Sequence, residues 1–184
     1  MGIKAFVGDF ADLSVLLPLA AAVAALLAAT GWWRGLVAWA VAMAGVLLVM
    51  LLLKLGLAVA ADQGWIAARI SPSGHTAAAC AIYGGLGVLL LHGRLPPLYV
   101  ALLPVGVAML VGVSRLHPWM HSPGEVAAGA MVGLLGVAGL ALMAGPPVAL
   151  RPWPYVAVAV ALMLAFHGDR LPAEAAIRHA ARLL

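Results

Sequence analysis

Apolar residues run through this chain in six long stretches, broken only by brief polar or Pro/Gly punctuation. They are Leu13 to Thr30, Leu36 to Ala61, Gly74 to His92, Pro97 to Val113, Pro123 to Gly145 and Trp153 to His167. Most approach the roughly 20 residues that a helix needs to cross about 30 Å of hydrocarbon. Ala, Leu, Gly and Val fill them without the apolar/polar alternation of barrel strands, so the pattern predicts helices. The last stretch, about 15 residues, is short for a span, and the second, about 26, is long enough to tilt. The expected fold is all-α, a polytopic membrane bundle of about six transmembrane helices. No linker is long enough for a second domain, so residues 1–184 are expected to form a single integral membrane domain. The tail from Leu171 to Leu184, with Arg178 and Arg182 four apart among apolar residues, is expected to lie at the interface.

Composition sharpens this picture. With 66% apolar residues, 9% charged residues and a mean hydropathy of +1.13, the chain lies outside the range of soluble globules. A formal charge of +4 is spread too thinly to suggest nucleic acid as a partner. Cys80 is the single cysteine, so no intramolecular disulfide is possible. The N-terminus lacks a small-residue cleavage site before its apolar run, and no removed signal peptide is expected. Trp32, Trp33, Trp65, Trp119 and Trp153 fall at the ends of spans, where aromatic belts belong. Gly129, Gly133, Gly136 and Gly139 repeat along the fifth stretch, which favours close packing within the bundle or between protomers.

Against this background two polar clusters stand out, Pro72-Ser73-Gly74-His75 and Ser114-Arg115 followed by His121 and Glu125. Ionisable groups are expensive in a bilayer and call for a function. In a six-span bundle the second-to-third and fourth-to-fifth connections share one face, so both clusters arrive at the same membrane depth. Part of the pattern is explained by helix capping, since Ser122, Pro123 and Glu125 fit a capping box with a first-turn proline, and Ser73 fits an N-cap. Capping does not explain His75, Arg115 or His121. Helix starts at Gly74 and near Pro123 offer free N–H groups to an anionic phosphoryl group, and Lys54 and Arg115 add fixed cations. His121 and Glu125, four apart on one helical face, allow the carboxylate to hold the imidazole. That makes His121 a candidate nucleophile towards phosphorus, with His75 as proton donor to the departing oxygen.

These residues resemble the type 2 phosphatidic acid phosphatases (PAP2), a superfamily of metal-independent phosphatases that includes many integral membrane lipid phosphatases. Its three-part pattern is a lysine followed seven positions on by Arg-Pro, then Pro-Ser-Gly-His, then Ser-Arg, five residues, His, three residues and Asp. The second part is complete here as Pro72 to His75, and the third is present as Ser114-Arg115, His121 and Glu125, with glutamate in place of aspartate. The first part keeps Lys54, but Ala61 and Asp62 replace Arg-Pro. The resemblance places the catalytic motifs within residues 54–129. It implies that His121 forms a transient phosphohistidine oriented by Glu125, and that His75 is the general acid. Lys54, Ser73, the Gly74 amide and Arg115 would bind the phosphoryl oxygens, without metal or cofactor. Arg69 is a candidate substitute for the missing arginine. His117 is read as an interfacial residue beside Trp119, and His92 lies on the opposite face.

The expected activity is hydrolysis of a lipid phosphate monoester or polyprenyl diphosphate, with the bilayer and that lipid as the partners. Phosphoryl transfer to another lipid through the same intermediate is an alternative, as is a catalytically weak lipid-binding relative. A metal site built from His75, His121 and Glu125 is a further alternative, though it leaves Ser114 and Arg115 without a use. Lys and Arg number seven on the site face and three on the other, but Lys54 and Arg115 are candidate catalytic residues and Arg178 and Arg182 fall in the tail, so charge leaves orientation open; oligomeric state is not written in the sequence. The resemblance implies a bacterial inner membrane, with the site facing the periplasm or outside.

Overall fold

The computed structural model describes residues 3–66, 70–116, 121–146, 148–169 and 171–181, and its regular elements are helices. A short α1 (Ile3–Asp9) leads into α2 (Leu13–Ala29), whose first turn is capped by Asp12. α3 (Trp33–Asp62) is the longest helix. Gly74–Leu91 is one continuous 18-residue helix built from α4 (Gly74–Ala79), a π-helical turn (Cys80–Gly84) and α5 (Gly85–Leu91). α6 (Pro97–Arg115), α7 (Pro123–Ala144), α8 (Pro152–Ala165) and α9 (Ala173–Ala181) follow. Pro97, Pro123 and Pro152 each open a helix, where the missing N–H leaves no bond unmade.

All six apolar stretches therefore fold as helices. Four of them, Trp33–Asp62, Gly74–Leu91, Pro97–Arg115 and Pro123–Ala144, are long and apolar enough to cross a membrane. α2 and α8 have 17 and 14 residues. At 1.5 Å per residue they reach about 25 and 21 Å, short of the hydrocarbon thickness. The shortness of the last stretch is legible in the sequence. That of α2 arises at Gly31, whose φ of 71° turns the chain out of the helix.

Gly74–Leu91 sits at the centre, with 72% of its span buried, against 33% for α3 and α6 and 22% for α7. The outer faces of those three carry exposed Leu48, Leu52, Met109, Leu110, Leu135 and Leu142, the surface a bilayer covers. Trp33, Trp65 and Trp153 are exposed at or near helix ends, as an aromatic belt requires.

Small residues bring the helices close. A Cβ on Gly129 would overlap the Ser73 carbonyl oxygen, one on Gly133 would lie 2.7 Å from the Ala77 carbonyl oxygen, and one on Gly136 would overlap Val46. These three glycines thus pack α7 against α3 and α4 within one bundle. Gly84, at the end of the π turn, lies against Pro104 of α6.

The helices alternate in direction, so connections gather at two ends. At one end Arg34 donates to the Met143 carbonyl (2.9 Å), and Arg94 donates to the carbonyls of Leu90 (2.8 Å) and Leu150. The other end holds Asp12, Asp62, Gly74, Arg115, Glu125 and Leu171 around one opening.

Candidate active site

Local capping fixes the two polar clusters. Ser73 caps α4: its hydroxyl accepts from the Thr76 amide (3.4 Å) and pairs with the Thr76 hydroxyl (2.9 Å). Ser122 caps α7 with a complete capping box, in which Glu125 Oε2 accepts from the Ser122 amide at 2.8 Å. The other carboxylate oxygen, Oε1, accepts from the Ser71 amide at 2.5 Å, and the Glu125 carbonyl accepts from the Ser73 amide at 2.9 Å. One residue of α7 thereby fastens the loop that opens α4.

His121 precedes that cap, with Nδ1 3.7 Å from Glu125 Oε2. This is a charge contact beyond hydrogen-bond length. The glutamate arm, one methylene longer than aspartate, is folded back onto the backbone of Ser122 and Ser71. Leu116 and His121 pair through a short parallel bridge, which brings Arg115 to the same mouth. Arg115 ends α6, and its guanidinium lies 3.1 Å from where a Cβ of Gly8 would stand, against α1.

Lys54 reaches the cluster from α3. It is buried, and its Nζ donates to the Ser71 hydroxyl at 2.8 Å. Its Cε lies 3.4 Å from where a Cβ of Gly74 would stand. The absence of a side chain at Gly74 leaves the start of α4 open beside this cation.

His75 projects from the first turn of α4, with Nε2 3.6 Å from Oδ2 of Asp12. The other Asp12 oxygen, Oδ1, accepts from the Ser14 amide (2.9 Å) and from the Leu171 amide (3.1 Å). Burial alone would raise the Asp12 carboxyl, but its contact with His75 and the two amides outweigh burial and hold it well below the usual carboxylate range.

These groups line one cavity of about 760 Å³. Lys54, Gly74, His75, Arg115, His121 and Glu125, all read from the sequence as site residues, lie on its wall with Asp12, Asp62 and Ser71. An apolar wall of Leu17, Val46, Leu47, Met50 and Leu51 continues from the polar end, and Ala176 and Ile177 of α9 border it. Ser73 is placed differently from the expectation of a phosphate ligand. It is fully buried, its hydroxyl is spent on the cap, and it is not part of the wall. Arg69, His117 and Trp119 lie outside the described residues.

Asp12 and Ser71 escape the sequence reading. An aspartate before an apolar run signals an N-cap and nothing more. Its approach to His75 comes from the packing of α2 on α4. Among the described residues, no three of His, Cys, Asp and Glu converge as a metal site requires.

Fold and cavity together define a helical membrane protein with histidines and cations gathered at one end of its bundle. The chain belongs to the PAP2 superfamily, whose family model matches residues 35–146, more than half of its length. Membership supports phosphatase activity in general. The match takes in every group from Lys54 to Glu125 and leaves out Asp12 and α9. A search of curated proteins and one of solved structures gave no match.

Proposed function

We propose that this protein is a membrane phosphatase that hydrolyses a lipid phosphate monoester or polyprenyl diphosphate through a phosphohistidine at His121. The observation that carries the reading is the two-part cavity, in which His75, His121, Lys54 and Arg115 meet at one end of an apolar wall running down α3. A phosphate headgroup fits the first part and an acyl or prenyl tail the second.

In the first step a ring nitrogen of neutral His121 attacks phosphorus and the bond to the leaving oxygen breaks, while His75 gives that oxygen its proton. The products are phosphohistidine and the lipid alcohol, or, from a diphosphate, phosphohistidine and the prenyl monophosphate. Water then attacks phosphorus, His75 takes the proton, and inorganic phosphate departs with both histidines restored. Lys54, Arg115 and the Gly74 amide hold the phosphoryl oxygens, where fixed donors stabilise developing charge. Glu125 holds the start of α7, and with it His121, against the Ser71 loop.

By analogy with bacterial members of the family, we place the site at the outer face of the inner membrane. Arg34, Arg94 and Arg151, at the opposite end, then lie on the cytoplasmic side.

The test is inorganic phosphate release by purified protein in detergent, from a panel of lipid phosphates and prenyl diphosphates, with chelator present. We expect release that persists in chelator and disappears in His121→Ala. Equal release by the native protein and the variant would remove His121 from the chemistry. No release from any substrate would leave a lipid-binding relative.

A further inference from the structure

We propose that Asp12 is the positioning residue of the leaving-group acid: it holds the His75 imidazole towards the cavity through a carboxylate fixed by the backbone. The inference rests on the phosphatase reading and adds to it a residue outside the part of the chain that matches the family.

The two carboxylate oxygens of Asp12 are divided between the backbone and the histidine. Oδ1 is occupied by the main-chain amides of Ser14 and Leu171, at 2.9 and 3.1 Å. Two amides on one oxygen fix the plane of the carboxylate, so Oδ2 is aimed before His75 engages it. An exposed ion pair gains little because both side chains must be ordered for it. Here the acid is 7% exposed and ordered by the backbone, which leaves only the imidazole to be placed. Oδ2 stands 3.6 Å from His75 Nε2, and both residues line the cavity. Capping of α2 and tethering of the chain at Leu171 need Oδ1 alone. Neither accounts for Oδ2 facing a histidine.

Position is what a general acid needs. The proton must pass to the leaving oxygen as its bond to phosphorus breaks, and the imidazole stands in the first turn of α4, on the cavity wall. A carboxylate at one ring nitrogen leaves the other for the substrate and keeps the ring from swinging away. Asp12 stays ionised throughout and exchanges no proton. Glu125 stands in a similar relation to His121, so each candidate catalytic histidine has its own backbone-bonded carboxylate.

A positioning role has a signature that a structural role lacks. Help from a general acid matters when the leaving group is a poor one, such as an alkoxide. It matters little when the leaving group departs unaided, as nitrophenolate does. Asp12→Asn keeps an oxygen for the Ser14 and Leu171 amides and remains a good N-cap, but loses the charge facing His75. Asp12→Ser keeps the cap and loses the reach, and so provides a second variant. Both are first checked for a native elution profile and unfolding transition in detergent.

The measurement is kcat and KM on decyl phosphate and on 4-nitrophenyl phosphate, for the native protein, Asp12→Asn, Asp12→Ser, His75→Ala and the Asp12→Asn/His75→Ala double variant. We expect kcat/KM, which reports the step that expels the leaving group, to fall about 10- to 100-fold on decyl phosphate in both Asp12 variants and less than about threefold on 4-nitrophenyl phosphate. Asp12→Asn should add little to His75→Ala, because the two residues act as a unit. Equal losses on both substrates, or full additivity with His75→Ala, would overturn the role of Asp12 and leave the phosphatase reading intact. A native protein inactive on both substrates would overturn that reading, and the inference with it.

Discussion

At the residue scale, the two buried charges that matter most are held by hydroxyl and backbone partners. Lys54 is met by the Ser71 hydroxyl and Asp12 by two amides, so neither depends on a bound substrate to be tolerated inside the protein. For Asp12 this has a consequence in acid. Its carboxyl is held below the usual range in the folded protein and returns to about 3.9 on unfolding. A depressed folded value stabilises the protein above the unfolded value, and that contribution is lost as pH falls from there towards the folded value. Asp12→Asn should therefore unfold at a lower temperature than the native protein at pH 7, and the gap should shrink steadily as the pH is lowered from about 5 to 2. Thermal unfolding in detergent reads this directly. A gap that stayed constant with pH would mean that Asp12 acts as a neutral cap. His121 and Glu125 are legible as a pair in the sequence because they are four apart on one helical face. Asp12 and His75 are not, because 63 positions separate them and only the packing of α2 on α4 joins them.

At the scale of elements, helix starts are the best-marked positions. Gly74, Pro97 and Pro123 begin helices where serine caps or prolines place them in the sequence. The π turn at Cys80–Gly84 carries no such mark, since it depends on Gly84 meeting Pro104 of another helix. The glycine repeat of α7 is half legible: its spacing announces close packing, but its partners are known only from the fold. Those partners separate glycines that look alike in sequence. A methyl at Gly129 would meet the backbone of Ser73, which is held to Glu125 and has little freedom to yield. A methyl at Gly139 would meet only the end of Met143, at 4.0 Å. Gly129→Ala should destabilise the protein by about 1 to 3 kcal/mol, the range for overpacking, and reduce phosphate release by displacing the Pro72–His75 loop. Gly139→Ala should be neutral or stabilise by up to about 1 kcal/mol through helix propensity. Unfolding of the two variants side by side is the check, and a Gly129→Ala protein as stable as native would mean that α7 can shift without loss.

For the whole molecule, the bundle joins two solvents at one place. Hydropathy alone reveals the apolar surround, and the two polar clusters mark the end at which the structure places the cavity. What stays hidden in the sequence is the apolar limb of the cavity, because Val46, Leu47, Met50 and Leu51 look like any other span residues until α2 and α9 leave a gap beside them. Likewise the tail reads as an interfacial helix. The structure packs α9 on α3 and sets Ala173, Ala176 and Ile177 against the cavity. On the proposed reading the two limbs have separate tasks, and the tasks can be tested independently. Leu47 lies on the apolar limb, so Leu47→Trp should fill the space proposed for the tail and leave the proposed phosphoryl site as it was. Displacing two or three methylenes of a long-chain substrate costs about 2 kcal/mol at 0.8 kcal/mol each. That corresponds to a loss of about thirtyfold in kcat/KM for a long prenyl or diacyl phosphate. Hydrolysis of 4-nitrophenyl phosphate, which has no tail, should be unchanged. Equal losses on the two substrates would show that Leu47 supports the catalytic end, and unchanged kinetics on both would show that the tail lies elsewhere, on the lipid-facing surface of the bundle.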